Sequence, residues 1–154
     1  MNITNKNKPI TRIELDELIK TNQDVTQVNT SEITEMSFMF KDANSFNQDI
    51  SKWDVSRVSD MQSMFSQADS FNQDISNWDV RNVTYMGYMF YGARLFNQDI
   101  SKWDVSKVSD MRSMFSQADS FSQDISNWNL SGIEHKLHFY IKNNATFRSS
   151  ILFS

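Results

Sequence analysis

Asp49 and Asp54 stand within the decapeptide FNQDISKWDV, and the same pair returns as Asp74 with Asp79 and as Asp99 with Asp104; Asp124 continues the first column. Recurring carboxylates suggest two chemistries, general acid–base catalysis and calcium ligation. Catalysis needs two groups driven to different pKa values by different surroundings, whereas a repeat gives each member nearly the same surroundings. No nucleophile, base and orienting group can be assembled, so the chain reads as a non-enzyme. Calcium repeats carry a glycine-rich GGxGxD signature that is missing here. Asp49 and its copies therefore read as turn residues accepting backbone N–H bonds. His135 and His138 lie at i, i+3 without an evident third ligand, so no metal or other cofactor is expected.

The positions of these residues are set by a period of 25. Phe46, Phe71, Phe96 and Phe121 form one column and Trp53, Trp78, Trp103 and Trp128 another. Ile50, Phe40, Met36, Met39 and Ala43 head further columns with the same interval. A degenerate copy, NQDVTQVNTSEIT, precedes the regular ones at 22–34. In ISKWDV, Trp53 and Val55 alternate with Lys52, Asp54 and Ser56, the pattern of a half-buried strand. In SDMQSMF, Met61, Met64 and Phe65 fall at i, i+3 and i+4, with Ser59 and Gln62 as a capping box, which predicts a short helical turn. One unit cannot stand alone: ordering costs roughly 1.5 kcal/mol per residue, and its large apolar side chains repay that only when neighbours bury them.

The expected fold is thus an α/β repeat, a leucine-rich-repeat-like right-handed solenoid with one short parallel strand and one short helical turn per coil, spaced about 4.8 Å on the strand side. The whole chain, 1–154, reads as one domain, with a capping helix in 10–21, repeats over 22–133 and a degenerate coil or cap at 134–154. Thr11 with Glu14 supplies the capping box of a helix over 12–20, and Ile10 with Leu15 the hydrophobic staple. The C-terminal stretch ends on apolar Ile151, Leu152 and Phe153, a candidate surface for self-association.

Composition narrows the partners. A hydrophobic content of 39% fits a globular chain, while a net charge of −4 and a pI near 5.1 argue against nucleic acid. The absence of cysteine excludes a disulfide framework without fixing a compartment. No signal peptide and no membrane span are visible in the sequence.

The string IxxWxVxxVxxMxxMF (Ile50 to Phe65) followed by AxxFNQD (Ala68 to Asp74) resembles the BspA-like family of bacterial leucine-rich-repeat surface proteins, of the 25-residue DUF285 type, over residues 10–133. Val58 departs from the general leucine-rich consensus, which has Asn or Cys there, and the Asn47, Asn72 and Asn97 column is the substitute for an asparagine ladder. The resemblance implies a surface or secreted protein that binds host matrix or surface proteins, with no catalytic residues. The alternative is a cytoplasmic interaction scaffold or an orphan array of the same repeats.

Local function is sought where the repeat breaks. Between the near-identical stretches 51–71 and 101–121, Asp60, Ser63, Ser66, Asp69 and Ser70 give way to Tyr85, Tyr88, Tyr91, Arg94 and Leu95. Columns that accept Asp and Ser elsewhere are expected to be exposed, so these residues form a candidate patch of hot-spot composition. Phe38 shares the column of Tyr88 two units away. A second candidate surface comprises Lys52, Asp54, Asn77, Asp79, Arg81, Lys102 and Asp104, mixed in charge and suited to a protein partner.

Overall fold

A computed structural model describes residues 7–133. The one helix among them, α1 (Arg12–Lys20), begins at Thr11, whose side chain accepts from the Glu14 N–H while the Glu14 carboxylate accepts from the Thr11 N–H at 2.9 Å. Leu15 is buried against the first unit. Arg12 ties α1 down by donating to the carbonyls of Glu35 at 3.0 Å and Ser37 at 2.9 Å.

The repeats at 26–50, 51–75, 76–100 and 101–125, units 1 to 4, stack in register. Successive units are joined by isolated parallel bridges at Glu35, Asp60, Tyr85 and Asp110. The expected strand-bearing solenoid is not what forms: no strand or sheet is present among the described residues, and no helix occurs within the repeats. Trp53 and Val55 do point inward, but their alternation lasts three residues. Turns then close on both sides, Trp53 N–H to the Ile50 carbonyl at 3.1 Å and Val58 N–H to the Val55 carbonyl at 2.9 Å. These consume the N–H groups that a strand ladder needs.

The predicted helical turn at Met61 to Phe65 is also replaced. Met64 and Ser66 donate three residues back, to Met61 and Ser63, while Met61, Ser63, Phe65 and Gln67 donate to carbonyls of the following unit. With every second N–H committed to a neighbouring unit, the four-residue ladder of an α-helix cannot propagate. Ser59 caps nothing; it is Asp60 whose Oδ1 accepts the Gln62 N–H, at 2.8 Å. Ser63 and Gln67 take left-handed conformations (φ 55° and 60°), as do Phe38, Asp42, Tyr88, Gly92, Ser113 and Gln117 at the equivalent positions. A left-handed third residue is what a type II turn requires, and Ser63 and Gln67 hold that place in the turns 61–64 and 65–68. Such a conformation costs a non-glycine residue about 1–2 kcal/mol. It is held here by N–H bonds to the next unit, of 2.9 Å at Ser63 and 2.7 Å at Gln67.

The core is a set of continuous columns. Phe40, Phe65, Phe90 and Phe115 stack at 5.3–5.7 Å between centroids, and each lies 3.9–4.0 Å from the ring of Phe46, Phe71, Phe96 or Phe121 in its own unit. Each Trp indole N–H donates to the carbonyl 28 residues back, Trp78 to Ile50 at 3.2 Å and Trp103 to Ile75 at 3.1 Å. The Asn column is a ladder: Asn47 Oδ1 accepts from Asn72 N–H and Asn72 Oδ1 from Asn97 N–H, both at 3.0 Å.

Candidate protein-binding surface

Between residues 85 and 95 the turns bury Met86, Gly87, Met89, Phe90, Gly92 and Ala93, and only Tyr85, Tyr88, Tyr91, Arg94 and Leu95 remain accessible. All five break the repeat; the other two breaks in this stretch, Gly87 and Gly92, are buried. Tyr85 is 47% exposed, Tyr88 38% and Leu95 56%, fractions far above those of the core aromatics. The Tyr88 and Tyr91 rings meet edge to face at 6.0 Å, and Gln117 of the next unit donates to the Tyr91 hydroxyl at 2.8 Å. Arg94 is exposed and makes no ion pair among the described residues, and its column neighbours are Asp69 and Asp119.

The expectation that the Ser positions are exposed is corrected by the stack. Ser63 and Ser66 are buried, each 6% exposed, because Phe38 and Tyr88 flank the first and Lys41 and Tyr91 the second in the adjoining units. Phe38 itself is 49% exposed, with the Lys41 ammonium 5.9 Å from its ring centroid. This exposed ring outside unit 3 was signalled in the sequence by the column Phe38, Ser63, Tyr88, Ser113, in which large and small residues alternate. Two glycines sharpen the relief. Gly92 is left-handed, and a Cβ there would meet the Gln67 amide at 2.4 Å.

The second candidate surface is not brought together as a site. Asp79 is occupied by Arg81, whose Nε and Nη2 donate to its two oxygens at 2.8 and 2.7 Å and hold its carboxyl below the usual range. Asp54 and Asp104 accept the N–H groups of Ser56 and Ser106, each at 3.0 Å. Lys52 and Lys102 are exposed and act electrostatically on Asp49 and Asp99. Asn77 is exposed between them. The Asp49, Asp74, Asp99 and Asp124 column does accept backbone bonds from Ser51, Ser76, Ser101 and Ser126, at 2.9–3.0 Å. Hydrogen bonds from those serines, side chain first, lower each carboxyl below its ordinary value.

Among the described residues no group of three or more His, Cys, Asp or Glu side chains converges on a possible metal position. No described helix is long and apolar enough to cross a membrane. His135, His138 and the apolar residues 151–153 lie outside the described residues. No curated protein and no solved structure matches the chain. The family described as Mycoplasma protein of unknown function, DUF285, matches residues 12–128 and again 53–152. With its stacked 25-residue units covered by that match, the chain belongs to the DUF285 family.

Proposed function

We propose that this protein is a non-enzymatic protein-binding repeat scaffold, and that it engages its partner through the Tyr85, Tyr88, Tyr91, Arg94 and Leu95 edge of unit 3. The observation that carries this reading is that every residue left accessible in 85–95 is one that breaks the repeat, while Met86, Met89, Phe90 and Ala93, which keep it, are buried. Tyr and Arg are enriched at interface hot spots, Tyr because it offers large contact area with few rotors to freeze and Arg because its planar guanidinium stacks on rings and donates several hydrogen bonds at once. An enzymatic role is disfavoured by the acids themselves, since the Asp49 and Asp54 columns accept local backbone N–H groups in unit after unit.

The finer kinship, to BspA-like surface proteins, supports an outward-facing, adhesin-like role at the cell surface, with a host matrix or surface protein as the partner. The test is binding of the full chain to a panel of purified extracellular-matrix proteins, with Tyr85→Ser, Tyr88→Ser and Tyr91→Ser combined as the control. Binding should fall about tenfold or more in the triple variant while its thermal stability changes by about 1 kcal/mol or less. Equal binding by both proteins places the contact elsewhere, and a large loss of stability makes the tyrosines structural.

A further inference from the structure

Resting on the reading of this edge as a protein-binding surface, we infer that it also accepts a second copy of the same chain, docked antiparallel about a two-fold axis lying between units 2 and 3. Such an axis, perpendicular to the stack and within the interface, keeps each column facing itself and inverts the order of units. Unit 3 then faces unit 2 of the second copy, and unit 1 faces unit 4.

Four large residues of the edge are thereby set against small ones. Tyr88 lies over Ser63 of the second copy, Tyr91 over Ser66, Leu95 over Ser70 and Phe38 over Ser113. Parallel bridges put successive units about 4.8 Å apart, so Phe38 and Tyr88 stand about 10 Å apart, with buried Ser63 as the floor between them. The Tyr88 ring of the second copy, entering that gap, comes about 5 Å from each wall, within the range of favourable ring stacking. The interface would hold four rings in sequence, the Phe38 and Tyr88 of each copy.

Charge follows the same rule. The column reads Asn44, Asp69, Arg94, Asp119, and inversion places Arg94 against Asp69 of the second copy twice over. Among the described residues Arg94 has no ion pair, and Asp69 carries a buried Oδ1 without a hydrogen-bond partner. Where Glu35 faces Asp110, that acid brings its own bound Arg112, whose Nη2 lies 2.8 Å from its Oδ2. Four units across an edge of this width bury on the order of 500 Å² per copy, near the lower bound for a specific interface, so the dimer is concentration dependent.

Sedimentation equilibrium of the full chain from micromolar to millimolar concentration tests this. The wild type should pass from monomer to dimer, and Arg94→Asp, which installs the residue of the flanking units, should weaken dimerisation about tenfold or more. Ser63→Tyr should do the same by filling the floor with a side chain that its column already accepts at Tyr88. The exchange Asp69→Arg with Arg94→Asp restores both pairs and should restore dimerisation. A wild type that stays monomeric throughout overturns the inference, and so does a dimer indifferent to Arg94→Asp or not rescued by the exchange. Neither outcome touches the reading of the edge as a surface for other proteins, which is scored by matrix-protein binding alone.

Discussion

Residues 60–70 and 85–95 follow one backbone path and present two surfaces. Both stretches carry left-handed residues at their fourth and eighth positions, Ser63 with Gln67 and Tyr88 with Gly92. Both bury a Met, Met, Phe and Ala at the same four places. They differ where side chains leave the core, where one shows Asp and Ser and the other Tyr, Arg and Leu, and at two places where Gln62 and Gln67 give way to Gly87 and Gly92. The inner columns are under one constraint, to continue a stack; the outer positions are released from it. Surface composition in unit 3 therefore carries information that its core cannot.

That division can be broken most severely at Trp78. Its ring is 4% exposed in a central unit and its N–H satisfies the Ile50 carbonyl, so Trp78→Ala should cost about 3–5 kcal/mol in a denaturant titration. A midpoint close to wild type would remove the Trp column from the core.

A smaller effect is expected at the Asn ladder. Asn72 Oδ1 accepts from Asn97 N–H and from the Gln98 amide, both at 3.0 Å, so Asn72→Ala leaves the Asn97 N–H unmet, while the Gln98 amide keeps the Asn72 carbonyl at 2.9 Å. The cost should be about 1–2 kcal/mol, measured the same way. Equal stability of Asn72→Ala and wild type would show that water replaces the ladder at no penalty.

The mildest probe is acid. Asp49, Asp74, Asp99 and Asp124 have folded pKa values held below the ordinary 3.8 by their serine hydrogen bonds. A depressed folded value means that their contribution is complete above the unfolded pKa and is lost as pH falls through the folded one. The melting temperature should thus be flat near neutrality and decline below about pH 4. Replacing all four by Asn should flatten that decline while preserving the fold, because Asn129 and Asn29 already accept a Ser N–H in the same way, each at 3.1 Å. An unchanged acid profile would assign the pH response to other carboxylates.

Several features are legible in the residues alone. Thr11 and Glu14 announced α1 because a capping box is a local device that depends on four adjacent residues. Asp49 was legible as a turn acceptor because its partner, Ser51, is two residues away. The strand at ISKWDV was misread because alternation over Trp53, Asp54 and Val55 is common to a strand and to a pair of turns sharing an extended corner. The helical turn at Met61 was misread because i, i+3, i+4 spacing also suits overlapping turns with left-handed residues at Ser63 and Gln67. For the candidate edge, the five residues that break the repeat were legible; the burial of Ser63 and Ser66 was not, since it is imposed by residues 25 positions away on each side.

The sequence by itself determined the unit length, the inward columns, the cap and the place where the repeat changes, all of which follow from residue type and spacing. Only the tertiary structure decided the backbone between the columns. A residue such as Ser63 adopts a left-handed conformation because its N–H is claimed by Gly87 of the next unit at 2.9 Å. That bond exists only once the units are stacked, so no single unit encodes it.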